Sequence, residues 1–193
     1  VRYEIFKISL KVPGDIIECG VFKGVGVMYW LKLLAIYAPA AMKKVIGFDT
    51  FGAFADDLLP YEKETAKDFT DEAAFEGVDP RDILKIATEA GFEGRLELVE
   101  GDIKETSKQY VKDSPGFRIS LLHIDLDTYN GTLTTLENFY DLVTPGGIIL
   151  LDEYGMRGWG ESDAVDEFFK GQNVEIRTVE HSYKPTAYIV KKG

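Results

Sequence analysis

The chain has 193 residues, of which 45% are hydrophobic and 28% charged, and this size predicts one globular domain, residues 1–193, with a sizeable core. Its 33 acidic residues outnumber the 22 basic ones, and the resulting charge of −11 disfavours nucleic acid because a phosphate backbone would be repelled. No apolar run reaches the roughly 20 residues that a membrane helix needs. A single cysteine, Cys19, excludes an internal disulfide and, without a secretory signal pattern, favours a cytoplasmic protein.

Strand-like and helix-like segments alternate along the chain, which predicts a parallel sheet with helices on both faces. The first strand, Asp15–Cys19, leads through a glycine-rich turn into a buried helix at Val27–Tyr37. Residues 52–78 are acidic and irregular, and a connection of this length is more often a functional lid than a simple turn. The remaining predicted strands are Lys44–Phe48, Arg95–Glu100, Arg118–Ile124, Ile148–Leu151, Val174–Val179 and Thr186–Val190, and the remaining helices start at Pro80 or cover Lys104–Lys112, Tyr129–Val143 and Ser162–Lys170.

Two local features refine this outline. Pro145-Gly146-Gly147 is typical of a turn and is predicted to lead into the fifth strand. The last two strands are joined by a short link without a helix, which indicates an antiparallel hairpin at the end of an otherwise parallel sheet.

The turn after the first strand contains Gly20, Gly24 and Gly26, so its backbone can approach a ligand closely. Its Gly-x-x-x-Gly-x-Gly spacing differs from the Gly-x-Gly-x-x-Gly of dinucleotide sites, which argues against a nicotinamide oxidoreductase. Asp49 and Asp102 end the second and third strands, where a carboxylate can accept hydrogen bonds from a ribose or an adenine amino group; each could instead cap a helix. These residues favour a nucleoside ligand without phosphates.

Acidic residues also follow the next two strands: Asp125 and Asp127 after the fourth, Asp152 and Glu153 after the fifth. Ligands bind at this edge of an open α/β sheet. If the two strands are neighbours, four carboxylates converge, and charges that close require a cation or shared protons. Oxygen ligands favour a hard cation, Mg²⁺ first, with Ca²⁺ and Mn²⁺ as alternatives. A simpler interpretation is that Asp127 or Thr128 only caps the following helix.

Four motifs, in the correct order, resemble macrocin-type O-methyltransferases, metal-dependent class I enzymes that use S-adenosylmethionine to methylate sugar hydroxyls of natural products. The resemblance runs from about Asp15 to Phe169. It implies a class I methyltransferase fold: a Rossmann-like, seven-stranded, mostly parallel sheet with a C-terminal antiparallel hairpin and helices on both faces. The motifs are Glu18-Cys19-Gly20-Val21-Phe22-Lys23-Gly24, Phe48-Asp49-Thr50-Phe51-Gly52, Asp125-Leu126-Asp127-Thr128-Tyr129, and Pro145-Gly146-Gly147 with Asp152-Glu153-Tyr154.

The resemblance implies S-adenosylmethionine and Mg²⁺, or another hard divalent cation, as cofactors. Carried over position by position, Asp125, Asp152 and Glu153 become metal ligands and Asp127 the general base; Glu153 is one methylene longer than the aspartate often found there. A small sugar-containing acceptor (a glycoside, nucleotide sugar or natural product) and a homodimer are also implied. The implied cofactor-binding residues are Glu18, Gly20, Phe22, Gly24, Asp49, Thr50, Phe51, Asp102, Ile103 and Asp125.

Two alternatives within this picture remain. Methylation of a catechol or another phenol uses a similar metal arrangement, but enzymes of that type usually place a lysine just after the first metal ligand, whereas Asp127, Thr128 and Tyr129 stand nearby here. A non-catalytic, ligand-binding relative would be expected to have lost acids from the metal set, and all four are present.

The histidines and the second tryptophan complete the candidates. His123 lies within the fourth strand and is expected to be buried and hydrogen-bonded rather than catalytic, while His181 is expected at the surface. Trp159, in the glycine-rich stretch after the fifth strand, either forms a wall of the acceptor site or packs against Tyr129.

Overall fold

One seven-stranded sheet organises the protein, seen here in a computed structural model that describes residues 2–73, 77–178 and 182–193. The strands are β1 (Asp15–Cys19), β2 (Val45–Asp49), β3 (Leu96–Glu100), β4 (Ile119–Ile124), β5 (Val143–Leu151), β6 (Ile176–Thr178) and β7 (Ala187–Val190). Their order is β3-β2-β1-β4-β5-β7-β6. Pairing is parallel from β3 to β5, whereas β7 runs antiparallel to both β5 and β6. The mostly parallel sheet and the closing hairpin are confirmed.

Helices cover both faces of the sheet, as predicted. They are α1 (Arg2–Ser9), α2 (Val25–Tyr37), α3 (Glu62–Ala73), α4 (Pro80–Glu89), α5 (Ile103–Asp113), α6 (Tyr129–Phe139) and α7 (Glu161–Phe168). No helix in the described ranges is long and apolar enough to cross a bilayer.

Side-chain alternation along the strands produces two separate apolar cores. In β4, Leu121 packs with α1, α2 and α4, while Leu122 packs on the opposite face with α5, α6 and α7. Ile16 and Ile17 of β1 divide in the same way. Because successive residues of a strand point to opposite faces, a strand covered on both sides is largely apolar; all of β4 is buried, and its two polar residues, Ser120 and His123, are hydrogen-bonded.

The predicted turn at Pro145-Gly146-Gly147 is wrong, because these residues lie inside β5. Ile119 of β4 pairs with Val143, but Leu121 pairs with Ile148, so β5 bulges between these pairs. Gly146 has a φ of 85°, a conformation that glycine adopts without strain. Glycine supplies the same backbone freedom to a turn and to a bulge, so local sequence does not distinguish them.

Several boundaries also differ from the prediction. Helix α6 ends at Phe139 instead of Val143, and a short 3₁₀ helix, Tyr140–Leu142, follows it. Residues 52–78, predicted to be irregular with some short helix, contain the twelve-residue α3. Helix α1 lies before the first predicted element. Helix α4 begins as predicted, with Asp79 as its N-cap. Of the last predicted strand pair, Val179 lies outside the described residues, as does His181.

Candidate active site

A cavity of about 880 Å³ opens at the carboxyl ends of β1, β2 and β4. Strands β1 and β4 are adjacent where the strand order reverses, which is the usual ligand site of open α/β sheets. The predicted lid, residues 52–78, contributes residues 52–58 and part of α3 to the lining, and its role as a lid stays a prediction. Gly24 and Phe51 do not line the cavity. The other predicted cofactor-binding residues do: Glu18, Gly20, Phe22, Asp49, Thr50, Asp102, Ile103 and Asp125.

The turn after β1 owes its shape to glycine. Gly20 has a φ of 95°, and a Cβ at this position would lie 1.7 Å from the backbone oxygen of Asp125. The backbones of the two strand ends therefore meet here, and any side chain would separate them. Gly24, with a φ of 84°, is the N-cap of α2. The ring of Phe51 is buried in the core on the α2 side of the sheet, so Gly24 and Phe51 support the site from outside the cavity.

Asp49 holds this turn in place. Its Oδ2 accepts hydrogen bonds from the backbone N–H groups of Val21 (2.6 Å) and Phe22 (2.8 Å), and its Oδ1 accepts one from Phe51 (2.7 Å). The alternative in which Asp49 caps a helix is wrong. Because one carboxylate satisfies three backbone donors from two loops, Asp49 fixes the shape of the cavity wall that it lines.

Asp102 caps a helix, the second of the two roles predicted for it. Its side chain caps α5 by accepting a hydrogen bond from the Lys104 backbone N–H at 2.9 Å. The ammonium of Lys104 lies 3.1 Å from Asp102 and 2.9 Å from Asp57 of the lid segment. The cap therefore also connects β3 to the lid, and both carboxylates line the cavity.

Glu18, which lines the cavity, forms a buried polar pair with His123. Glu18 accepts a hydrogen bond from Trp30 Nε1 at 2.6 Å and contacts His123 Nδ1 at 3.2 Å, while His123 Nε2 lies 3.3 Å from Asp152 Oδ1. Burial alone would lower the pKa of His123, but the hydrogen bonds to Asp152 and Glu18 raise it to about 10. Burial opposes ionisation of Asp152, yet the hydrogen bond from His123 lowers its pKa. The expectation of a buried, hydrogen-bonded His123 is confirmed.

The four acids after β4 and β5 lie close together, but they form two overlapping groups, and neither group contains all three predicted metal ligands, Asp125, Asp152 and Glu153. Ile124 and Leu151 pair across the two parallel strands, so the residues that follow leave the sheet side by side. One carboxylate oxygen from each of Asp125, Asp127 and Glu153 lies within 4.8 Å of the others. A ring nitrogen of His123 and oxygens of Asp125 and Asp152 form a second group of the same size.

Asp127 does not reach this cluster by extending β4. The strand ends at Ile124, and Asp127 has a φ of 62°, in the left-handed region. Its carbonyl oxygen accepts a hydrogen bond from the Gly160 N–H at 3.1 Å. Thr128 caps α6 by accepting from Gly131 N at 3.3 Å. Of the two predicted caps, Thr128 is therefore confirmed and Asp127 is wrong, which leaves the Asp127 carboxylate facing the cavity.

The crowding of these acids changes their ionisation. Burial raises the pKa of Asp125 to about 8, although the charge of His123 acts to lower it. Burial raises the pKa of Asp127 to about 6 against the lowering effect of the Lys184 ammonium. The pKa of Glu153 is raised, first by burial and then by the neighbouring charges of Asp127 and Asp125. Protons or cations must therefore compensate the cluster.

A hard divalent cation fits this donor set. The group formed by Asp125, Asp127 and Glu153 offers only carboxylate oxygens, the ligands that Mg²⁺ and Ca²⁺ prefer, whereas the group with Asp152 includes a ring nitrogen of His123. Oε2 of Glu153 is buried and, within the described part of the chain, has no hydrogen-bond partner. An unpaired carboxylate oxygen inside a protein is costly, and coordination to a cation would satisfy it.

Comparison with known proteins identifies the family. Residues 6–181 match the family described as Macrocin-O-methyltransferase (TylF). The chain belongs to this family. It is 24% identical to the Mycinamicin III 3''-O-methyltransferase of Micromonospora griseorubida over 88% of its own length and 65% of that protein. It is 23% identical to the 8-demethyl-8-(2,3-dimethoxy-alpha-L-rhamnosyl)-tetracenomycin-C 4'-O-methyltransferase of Streptomyces olivaceus, over 75% and 54% of the two chains.

Solved structures confirm the class I methyltransferase fold of this macrocin-type chain. The calicheamicin methyltransferase CalS11 is 25% identical, with a TM-score of 0.80 over 97% of this chain and 76% of that one. The O-methyltransferase NovP is 22% identical, a level that shows the fold alone, with a TM-score of 0.82 over 100% and 80%. The chain spans less than two thirds of the length of the two curated relatives named above.

The lid of this macrocin-type protein carries an aromatic cluster. Trp159 packs against Phe54 at 6.0 Å and Phe69 at 6.4 Å between ring centroids, and Phe69 contacts Phe22 at 5.6 Å. The hydroxyl of Tyr129 instead donates to Glu167 at 2.6 Å. Trp159 thus packs on two aromatic residues of the 52–78 segment but is not among the described residues that line the cavity, so its place in a wall of the acceptor site stays a prediction.

Two buried glutamates at the site were missed by sequence reasoning. Glu62, on α3, accepts hydrogen bonds from the backbone N–H of Tyr129 at 2.6 Å and of Leu59 at 2.7 Å. Glu161, at the start of α7, accepts one from the N–H of Glu153 at 2.9 Å, and burial raises its pKa well above the usual range. Both lie in acidic stretches that resemble a solvated helix face, so the sequence provides no signal for their burial.

Two basic residues at the cluster were also missed. Arg2 places Nη2 3.6 Å from Asp152 and 3.8 Å from Asp125. The ammonium of Lys184 hydrogen-bonds Glu153 and lies 3.8 Å from Asp152. They come from opposite ends of the chain, and no motif connects either of them to the acids.

Proposed function

We propose that the chain is an S-adenosylmethionine- and divalent-metal-dependent O-methyltransferase that acts on a sugar hydroxyl of a glycoside, nucleotide sugar or natural product. The convergence of Asp125, Asp127 and Glu153 beside the cavity carries the proposal. Membership of the macrocin family supports it, as do the names of two relatives, which describe 3''- and 4'-O-methylation.

The cavity wall at β1–β3 is assigned to S-adenosylmethionine, which when bound supplies an electrophilic methyl group on a positively charged sulfur. Gly20 and Phe22 present the backbone of the turn, and Asp49 keeps that turn in shape. An acid-lined wall suits a cationic ligand. The assigned residues facing the cavity are Glu18, Gly20, Phe22, Asp49, Thr50, Asp102, Ile103 and Asp125, supported from behind by Gly24 and Phe51.

Asp125, Asp152 and Glu153 are assigned to the divalent cation, Mg²⁺ first. A cation held by these residues would lower the pKa of an acceptor hydroxyl and would orient it. His123 contacts Asp152 through its Nε2 and thereby orients this carboxylate.

Asp127 is assigned as the general base. Its carboxylate lines the cavity, and it receives the proton that the acceptor hydroxyl loses. A sugar hydroxyl is a poor nucleophile at neutral pH, and general-base assistance is typically worth about 10²–10⁴-fold in rate.

The homodimer belongs to the same proposal and is tested by light scattering.

Calorimetry and a methyl-transfer assay test the proposal. S-adenosylhomocysteine should bind the purified chain and NADH should not. Methyl transfer to a panel of nucleotide sugars and glycosides should then require Mg²⁺, stop with EDTA and resume when Mg²⁺ is restored. Tight binding of NADH would overturn the assignment, and turnover indifferent to EDTA would remove the metal from it.

A further inference from the structure

The position of Lys184 follows from strand register. Strand β7 runs antiparallel to β5, with Ala187 opposite Leu151. Residues before Ala187 therefore continue past the carboxyl end of β5, where the acids lie. The N–H of Thr186 donates to the Leu151 carbonyl at 3.0 Å and anchors this segment. Lys184, two residues earlier, is thus delivered to the metal side of the cavity, which it lines.

The Lys184 ammonium is paired with the acids assigned to the metal. It hydrogen-bonds Oε1 of Glu153, a fully buried residue, and lies 3.8 Å from Oδ2 of Asp152. The other oxygen of Glu153, Oε2, has no partner among the described residues. The single lysine thus neutralises one side of the cluster, while Arg2 lies 3.6 Å from the other oxygen of Asp152.

An ammonium at these oxygens opposes the binding of a divalent cation beside it. Each is positive, and in a partly buried site the repulsion between charges a few ångströms apart is strong. The Lys184 side chain is 32% exposed and borders the cavity, so it has room to leave Glu153 without unfolding the segment that carries it.

We propose that Lys184 is a displaceable internal counter-ion of the acid cluster. It compensates Glu153 and Asp152 while no divalent cation is bound, and the cation displaces it into the cavity on binding. Lys184 thereby lowers the affinity of the site for the metal and protects the metal-free fold from repulsion among the acids. This inference rests on the metal assignment in the proposed function.

Titration with Mn²⁺ alone, followed by the electron paramagnetic resonance of the free ion, tests the proposal. Lys184→Met should bind Mn²⁺ about tenfold more tightly than the wild type, because a competing positive charge is removed. Lys104→Met is the matched control: Lys104 is 33% exposed, lines the same cavity and pairs with Asp57 and Asp102, so its loss should change the affinity less than about twofold.

The outcomes separate the two proposals. A wild-type chain that binds no Mn²⁺ would overturn the metal assignment. A wild-type chain that binds Mn²⁺, with Lys184→Met equal to it or weaker, would overturn only the role of Lys184.

Amine labelling of the wild type tests the displacement directly and requires no variant to fold. With Mg²⁺ present, the labelling rate of Lys184, measured by mass spectrometry, should rise severalfold while that of Lys104 stays constant. Mg²⁺ binding without a change at Lys184 would show that the lysine stays on Glu153 and would refute the exchange.

Discussion

Acids at the ends of β1–β3 and acids at the ends of β4–β5 occupy equivalent positions in the sheet but have different partners. Asp49 and Asp102 accept hydrogen bonds from nearby backbone N–H groups, so their charges shape the turns. Asp125, Asp127 and Glu153 face one another instead, and the cations beside them come from distant side chains. A carboxylate at a strand end therefore fixes the conformation of the neighbouring loops where backbone N–H groups donate to it. Where they do not, it adds to a cluster of negative charge.

Asp127→Asn sharpens this comparison most. Turnover should fall by about 10²–10⁴-fold, since the base is lost. Affinity for S-adenosylhomocysteine should stay within about twofold, and metal-free stability should not fall, because the variant relieves repulsion between like charges. Steady-state kinetics measures the turnover, calorimetry the affinity for S-adenosylhomocysteine, and thermal unfolding the metal-free stability. Near-normal turnover would contradict the assignment of the base.

Asp49→Ala should behave in the opposite way. It leaves the N–H groups of Val21, Phe22 and Phe51 without their acceptor, and we expect a loss of roughly 3 kcal/mol in the free energy of unfolding. Urea denaturation of this variant and of Asp127→Asn, each compared with the wild type, measures the difference in the free energy of unfolding. If the two variants had equal free energies of unfolding, the proposed difference between a structural acid (Asp49) and an acid of the charged cluster (Asp127) would be wrong.

Glu62→Ala tests whether Glu62 anchors the predicted lid to the start of α6, next to the acid cluster. The N–H groups of Tyr129 and Leu59 lose their acceptor, which should cost about 1–3 kcal/mol of stability and raise the KM for the acceptor. Glu64, exposed on the same helix, provides the control as Glu64→Ala. If both variants unfold at the same urea concentration, the Glu62 anchor has no energetic role.

Thr128→Ala should have the smallest effect. It removes the N-cap of α6 but leaves Asp127 intact, and caps of this type contribute about 1 kcal/mol. Chemical denaturation should show that loss, with the Mg²⁺ requirement unchanged. A loss of the Mg²⁺ requirement would mean that Thr128, and not only Asp127, serves the cluster.

Local pattern was sufficient for much of this molecule. Largely apolar runs ending in acids predicted β1, β2, β4 and the convergence at β5, because buried parallel strands are mostly apolar. It failed at Pro145-Gly146-Gly147, where pairing with β4 decides between a turn and a bulge. Residues 52–78 were predicted to be a lid from length and composition, whereas helix α3, which that prediction did not locate, is held in place by the contacts of Glu62.

The sequence by itself determined the fold class, the glycine turn and the four acids of the cluster, because periodicity, turn chemistry and strand ends are local properties. Only the tertiary structure decided which charges meet those acids. Arg2, Glu161 and Lys184 reach the cluster through helix packing and the β5–β7 register. Contacts between residues far apart in the chain leave no periodic trace in the sequence, and the partners of a buried charge are of this kind.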